Sequence, residues 1–484
     1  MSSSETSGVP SVEVIRHHLK IFGLGDTAFE GAKRAVLCNG DVDDEVLQLV
    51  MAGCAAVVLT PTHQFLGRLA IEEQRIQHLS GSRMLCKSVL FPVRDALCTL
   101  HGYVSFQNPD LQPVVTAADG GAVWASLKLG LGTILLLGTD LARDLVRFRQ
   151  GDPSRILQRP TDARWGIAGE RPNYLFEQQV AGLPRYARSA DEWCEVLAAT
   201  LSSLLRIQRL PMLPGNAVGA VVLTGDDDQA HLDKYAEQLD VLAGTPITYF
   251  LHPLTKHTRK TLDGLRVRNV EFGIHPDALA EPEKYSKKLL EQCRWYRRLT
   301  GESPLFLRNH GYLNDGYWGH ARPWLKEGIR FSSNLPGLDG NILNGSLLPA
   351  RLMLEGVMSS HWSVLTAIGD GVRYVDGGKT DEEAADSIVD LGRAVRASGI
   401  PGVIVINFHP QNISDTKAMH AAALELVRSG FVPWTMKSCL EWFEAKEPGL
   451  RPPARKRRAV ADAFDAIRRK LMHARSNATL RNSR

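Results

Sequence analysis

Two α/β domains are predicted, the second closed into a (β/α) barrel, and three features of the chain predict them. From Arg34 onward short apolar runs alternate with longer mixed segments, the pattern of strands joined by crossover helices. The runs are uniformly apolar, as in strands buried on both faces of a parallel sheet. A Pro/Gly-punctuated stretch, RIQRLPMLPGN at 206–216, interrupts the series and reads as a linker.

Taken in order, Ala35-Val-Leu-Cys38 and Ala55-Ala-Val-Val-Leu59 are strands, with a helix from about Asp43 to Ala52 between them. Thr133-Ile-Leu-Leu-Leu137 is a third, turning at Gly138-Thr-Asp140. Beyond the linker, Ala220–Thr224, Ile247–Leu251, Val270–Ile274, Leu305–Leu307, Ile329–Phe331 and Val403–Asn407 are strands. Helices are expected near His231–Ala243, Glu283–Leu299, Trp318–Glu327 and Asp415–Ser429. At least six strands alternating with helices suit a closed barrel at least as well as an open sheet. The boundaries are a disordered start at 1–15, a first domain at 16–205, the linker, a barrel at 217–449 and a basic tail at 450–484.

The whole chain sets outer limits. Its 484 residues, 44% hydrophobic and 23% charged, exclude general disorder. No apolar run is long enough to span a bilayer, and the start has no apolar core behind its charges, so a cytoplasmic protein is expected. Seven scattered cysteines with no C-x-x-C pair suggest reduced core residues rather than a disulfide framework or a zinc knuckle. Residues 451–484 hold eleven Lys/Arg against Asp462 and Asp465, a local +9, so the other 450 residues carry −5 of the net +4. An acidic body with a basic tail does not suit nucleic-acid binding, and no such partner is expected.

In parallel α/β proteins, functional groups gather at the carboxyl ends of the strands. There stand Asp226, Asp227 and Asp228, three adjacent acids that a fold tolerates readily only beside a cation or a proton. A solvated turn, or Asp228 as a helix N-cap, is the plainer reading. Three further strands, however, run into His275, His310 and His409. One such histidine is usually an ordinary hydrogen-bonded residue; three beside an acidic cluster suggest a metal-activated water, with zinc the natural ion.

These residues resemble the polysaccharide deacetylases of the NodB-homology type (carbohydrate esterase family 4-like) over about 217–445. Thr224-Gly225-Asp226-Asp227-Asp228 is similar to that family's T-F-D-D-G motif, Phe272–His275 to the start of H-[ST]-x-x-H, Phe306–Tyr312 to R-x-P-x-G, and Asn407-Phe408-His409 to L-x-H. The resemblance implies a distorted barrel of the NodB type and a hydrolase removing an N-acetyl group from a carbohydrate. Asp226 is then the general base, Arg308 its orienting partner, His409 the general acid, and Asp227 and His275 ligands of a divalent ion, expected to be Zn2+. The second metal histidine is replaced by Leu279, and His310 is the favoured substitute over Asp277. The first motif's glycine is Asp228, an added ligand or a helix cap. Two alternatives stand beside this reading: hydrolysis of another C–N bond, in a cyclic amide or formamide, and a non-catalytic glycan-binding pseudoenzyme. No G-x-S-x-G elbow is present, and no covalent nucleophile is needed.

Among the aromatic residues Tyr312, Tyr317, Trp318, Trp324 and Trp362, the first and third are the substrate-binding candidates, because flat rings suit the C–H faces of sugars; core packing is the plainer role for each. Ser332-Ser333-Asn334 ends a strand without an assignable role. The first domain faintly resembles the class I glutamine amidotransferase-like, flavodoxin-type fold through GLGTILLLGTD, but none of its cysteines has the Gly-x-Cys-x-Gly turn, so it is expected to be non-catalytic. Arg143, Arg147 and Arg149 form a solvated helix face or an anion site. In the tail, Val460, Phe464, Ile467 and Leu471 make one helical stripe beside Arg468, Arg469 and Lys470, which either packs on the barrel or lies on an anionic membrane surface, making the protein peripheral to the inner membrane face. The sequence leaves a homo-oligomer open.

Overall fold

The computed structural model describes residues 9–31, 34–76, 84–88, 97–158, 171–228, 230–314, 316–337, 340–373 and 378–447. The tail stripe lies outside them. Residues 1–446 make one compact unit. No helix among the described residues is long and apolar enough to cross a membrane.

The first half is built on a nine-stranded mixed sheet. Strands β1 (Ala35–Asn39), β2 (Ala55–Leu59), β3 (Glu72–Ile76), β4 (Met84–Ser88), β5 (Leu97–Thr99), β6 (Tyr103–Gln107), β7 (Gln112–Ala117), β8 (Ala122–Leu129) and β9 (Gly132–Leu137) follow in chain order. The main path is β1-β2-β9-β8-β7-β4-β5, with β6 joined to β8 and β3 to β6. Only β1, β2 and β9 are mutually parallel; the other ladders are antiparallel. The three runs read as parallel strands are the three parallel strands. A flavodoxin-type sheet shares no more than this trio with the observed one, and an amidotransferase-like fold is not shown.

The second half closes a barrel. Its strands are β10 (Gly219–Asp226), β11 (Ile247–Leu251), β12 (Val270–Ile274), β13 (Phe306–Leu307), β14 (Phe331–Pro336), β15 (Ala350–Leu354), β16 (Val357–Gly369), β17 (Gly402–Phe408) and β18 (Val432–Trp434). Seven parallel strands run β10-β11-β12-β13-β14-β16-β17, and β17 returns to β10 over Gly219–Gly225. The barrel is distorted at one seam. β11 joins β10 only from Leu223, and β18 pairs with Ala220–Val222 below it. β15 folds back on β16 through Glu355 and Gly356, both at positive φ (51° and 76°), the backbone that a two-residue hairpin turn requires. Every residue of β10, β11, β14 and β17 is buried, as strands enclosed by helices should be.

Two elements differ from expectation. A helix begins at Ser11, inside the segment expected to be disordered, because Val14, Ile15, Leu19 and Ile21 give it an apolar face that the core buries. Arg149, expected on a solvated face, is buried against Asp191 at 3.4 Å and donates to the Leu348 carbonyl at 2.5 Å; Arg147 pairs with Asp152. Asp191 also accepts from Arg188, Ser346 and the Leu347 N–H. One buried carboxylate thereby ties the first half to the barrel. Six of the seven cysteines are buried thiols.

Candidate active site

All the polar groups that matter leave the carboxyl ends of the barrel strands. Asp226 ends β10. Gly225 precedes it because a Cβ there would lie 2.5 Å from the Tyr249 ring. Arg308 follows β13 and is fully buried, an expensive place for a charge unless it is fully paired. Its guanidinium donates to Asp226 Oδ1 at 2.9 Å, Asn407 Oδ1 at 2.5 Å, Thr224 Oγ1 at 2.9 Å and the Ser333 carbonyl at 3.1 Å. Asn407 in turn donates to Asp226 Oδ2 at 2.8 Å. Burial works to raise the pKa of Asp226, but Arg308, His275 and His409 outweigh it and hold the carboxyl below its ordinary value.

The next two acids diverge. Asp227, expected as a metal ligand, turns away: its oxygens accept the Tyr235 hydroxyl and, at 3.2 Å, the His252 N–H. The carboxylate that faces the histidines belongs to Asp228, whose backbone is left-handed at φ 37°. Asp228 is not a helix cap; His231 occupies that position for the next helix. Asp228 Oδ1 lies 3.3 Å from His275 Nε2 and 3.7 Å from His310 Nε2, and its Oδ2 lies 3.3 Å from His409 Nε2. Burial opposes ionisation of Asp228 as well, and His275 and His409 hold its pKa well below the carboxylate range.

Asp228, His275 and His310 are one of two groups among the described residues whose ligand atoms lie close enough to share an ion; His252, Asp277 and His310 are the other. The first group fits a metal on two counts. Asp228 Oδ1 and His275 Nε2 are buried, face each other and have no hydrogen-bond partner. His275 Nδ1 lies 2.8 Å from the Arg308 carbonyl, which only accepts, so Nδ1 keeps a hydrogen and Nε2 is the nitrogen that can give up its proton to an ion.

His409 follows β17. Its Nδ1–H meets Asp370 Oδ1 at 2.6 Å, its backbone N–H meets Oδ2 at 2.8 Å, and Asn412 donates to Oδ2 at 2.9 Å. Burial alone would lower the imidazole pKa, but Asp370 and Asp228 raise it well above 6.5. Asp370, at the end of β16, and His252, at the end of β11, are absent from the sequence reading. His252 carried the same signal as its three counterparts, a histidine directly after an apolar strand.

Of the substrate-binding candidates, Tyr312 lies at the site, its ring 5.7 Å from the Arg308 guanidinium. Trp318 does not; it is 1% exposed and donates to the Gln150 carbonyl at 2.8 Å, because the first half packs over it. Trp324 and Trp362 are likewise core residues. Ser333 and Asn334 acquire roles: Ser333 accepts from Arg308, and Asn334 Oδ1 accepts the Asn309 N–H at 2.9 Å. A cavity of about 530 Å³ opens at the other end of the barrel, beside Pro246, Val270, Leu305 and Phe306, and holds none of these groups.

Neither a protein-family profile nor a curated protein matches the chain by sequence. Solved structures resemble it in fold, and these neighbours include polysaccharide deacetylases. One, described as a polysaccharide deacetylase of Mycobacterium smegmatis, is 18% identical over 50% of this chain and 96% of its own, with a TM-score of 0.38. The chitin deacetylase of Colletotrichum lindemuthianum is 16% identical over 46% of this chain and 87% of its own, with a TM-score of 0.32. A CE4-family pseudoenzyme from Bacillus anthracis is 12% identical over 46% of this chain and 65% of its own, with a TM-score of 0.31. At such identities and scores the likeness carries no function across.

Proposed function

We propose that this protein is a metal-dependent hydrolase that removes an N-acetyl group from a carbohydrate. The observation that carries the reading is that Asp226 and His409, a carboxylate and an imidazolium, both border one ligand group, with His409 Nε2 3.8 Å from Asp226 Oδ2 and 3.3 Å from Asp228 Oδ2. Asp228, His275 and His310 would hold the ion. When bound, a divalent ion supplies a Lewis acid that makes water more acidic and polarises the amide carbonyl.

The chain's own groups do the proton transfers. Asp226 accepts the proton of the attacking water; Arg308 and Asn407 fix both of its oxygens, so the base is oriented before substrate arrives. His409 gives its Nε2 proton to the leaving nitrogen, and Asp370 keeps the imidazole protonated and aimed. Tyr312 lies at the rim, where its ring suits a sugar face. The orphaned Asp228 and His275 atoms favour a held ion over a lost metal site.

Acetate release from N-acetylglucosamine oligomers by the full chain supplied with Zn2+ tests the reading. Release is expected in wild type and absent in Asp226→Asn; release of formate or ring-opening of a cyclic amide without acetate would assign another C–N bond.

A further inference from the structure

His310 belongs to both ligand groups, and its two ring nitrogens face different carboxylates. Nε2 lies 3.7 Å from Asp228 Oδ1, and Nδ1 lies 3.4 Å from Asp277 Oδ1. A neutral imidazole carries one N–H and one lone pair, so only one of these nitrogens is free to bind an ion. The neighbours decide which.

His252 is informative here. Its Nδ1 receives the Leu254 backbone N–H at 3.2 Å, so Nδ1 holds the lone pair and Nε2 the hydrogen. Asp277 Oδ2 is a carboxylate oxygen 3.5 Å from that Nε2. The second group thus receives a hydrogen from His252 where an ion would need a lone pair, and it falls one ligand short. Asp277 is itself fixed in place. Its Oδ1 accepts the Leu279 N–H at 3.0 Å, while Gln292 accepts the Asp277 N–H at 2.9 Å and donates to its carbonyl at 2.7 Å.

We propose that Asp277 is a positioning residue of the metal centre: it accepts His310 Nδ1–H on one oxygen and His252 Nε2–H on the other, and so presents His310 Nε2 as a ligand beside Asp228 and His275. This rests on the metal-dependent reading above. It accounts for a centre that lacks a histidine at 279. Leu279 contributes only a backbone N–H, and that N–H holds Asp277. His275 is oriented by the same principle through a different acceptor, the Arg308 carbonyl. Acceptors behind a metal histidine fix its tautomer and ring angle, and their loss typically weakens metal binding by about 10–100-fold.

The test titrates Zn2+, against a chromophoric chelator, and Co2+ into metal-free full-length protein, with the visible Co2+ spectrum as a second readout. Wild type is expected to bind one equivalent. Asp277→Asn is expected to bind about 10–100-fold more weakly with an altered Co2+ spectrum, and Asp277→Glu to recover part of the loss. Should Asp277→Asn fail to fold, His252→Ala, which leaves every proposed ligand in place, carries the test and is expected to shift affinity in the same direction. Affinity and spectrum unchanged in a folded variant overturn the inference and leave the proposed function standing. Two equivalents of Zn2+ per chain also overturn it, since His252 and Asp277 would then be ligands. A wild type that binds neither ion removes the proposed function itself.

Discussion

Asp370 grips His409 twice, its Oδ1 2.6 Å from the imidazole Nδ1 and its Oδ2 2.8 Å from the same residue's backbone N–H. The carboxylate comes from the end of β16 and the histidine from the end of β17, so two neighbouring strands fix one proton donor. A general acid works only while protonated. With its pKa above 6.5, the rate should fall as pH rises through that raised value. Asp370→Asn removes the charge, lowers the imidazole pKa and moves the alkaline limb of the kcat/KM profile to lower pH. His409→Ala should cost about 10²- to 10⁴-fold in kcat. An alkaline limb that stays put in Asp370→Asn would show that this pairing does not tune the acid.

Asp227 and Asp228 should behave differently although they are adjacent. Asp228→Asn is expected to weaken Zn2+ binding by more than the roughly 10–100-fold typical of losing a group behind a ligand. Asp227→Asn keeps an acceptor for the His252 N–H and should leave metal affinity near wild type while lowering stability by about 1–3 kcal/mol. Zn2+ titration and urea unfolding of both variants check the contrast; equal metal loss in the two would contradict it.

Arg308 is the closest cation to the buried Asp226 carboxylate among the described contacts, at 2.9 Å against 3.8 Å for His275 and His409. Arg308→Met leaves that carboxylate without its partner, which should destabilise the barrel by about 3–5 kcal/mol and raise the pKa of the base. Urea unfolding of the metal-free variant measures the first effect without depending on turnover. A loss under 1 kcal/mol would place the pair with ordinary surface ion pairs.

His361 sets a pH dependence of stability far from the rim. Burial pushes its imidazole down to about 4, against the partial opposition of the Ile329 carbonyl, and Ser332 lies 2.8 Å from its Nε2. The folded chain refuses a proton that the unfolded chain takes up near 6.5, so this contribution is present above 6.5 and is lost as pH falls toward 4. The loss by pH 4.5 is about 2–3 kcal/mol. His361→Gln should narrow the difference in unfolding free energy between pH 7.5 and pH 4.5 by that amount; an unchanged difference would contradict it.

Much of this architecture was legible because burial on both faces writes itself as uniform apolar runs. Most parallel strands of both halves are marked that way, and the residues that follow them, Asp226, His275, Arg308 and His409, meet at one rim. Elements with mixed composition were not. β16 reads VMSSHWSVLTAIG, with a histidine and three serines inside it, so neither the strand nor Asp370 at its end stands out in the sequence. The helix Asp381–Ser398 carried a Thr380–Glu383 capping box that the strand-led reading passed over. The antiparallel ladders of the first half are short and partly polar, which is why only its parallel trio appeared. The exchange of Asp227 for Asp228 depends on a left-handed backbone at Asp228, which no residue spacing announces.

In the proposed centre, residues from three strand ends cage one cation beside Asp226. Anomalous diffraction at the zinc edge from crystals grown with Zn2+ tests it most directly. One peak is expected, about 2.0–2.2 Å from a carboxylate oxygen of Asp228 and from the Nε2 atoms of His275 and His310. A peak on His252 and Asp277 instead, or zinc bound nowhere at this rim, would contradict it.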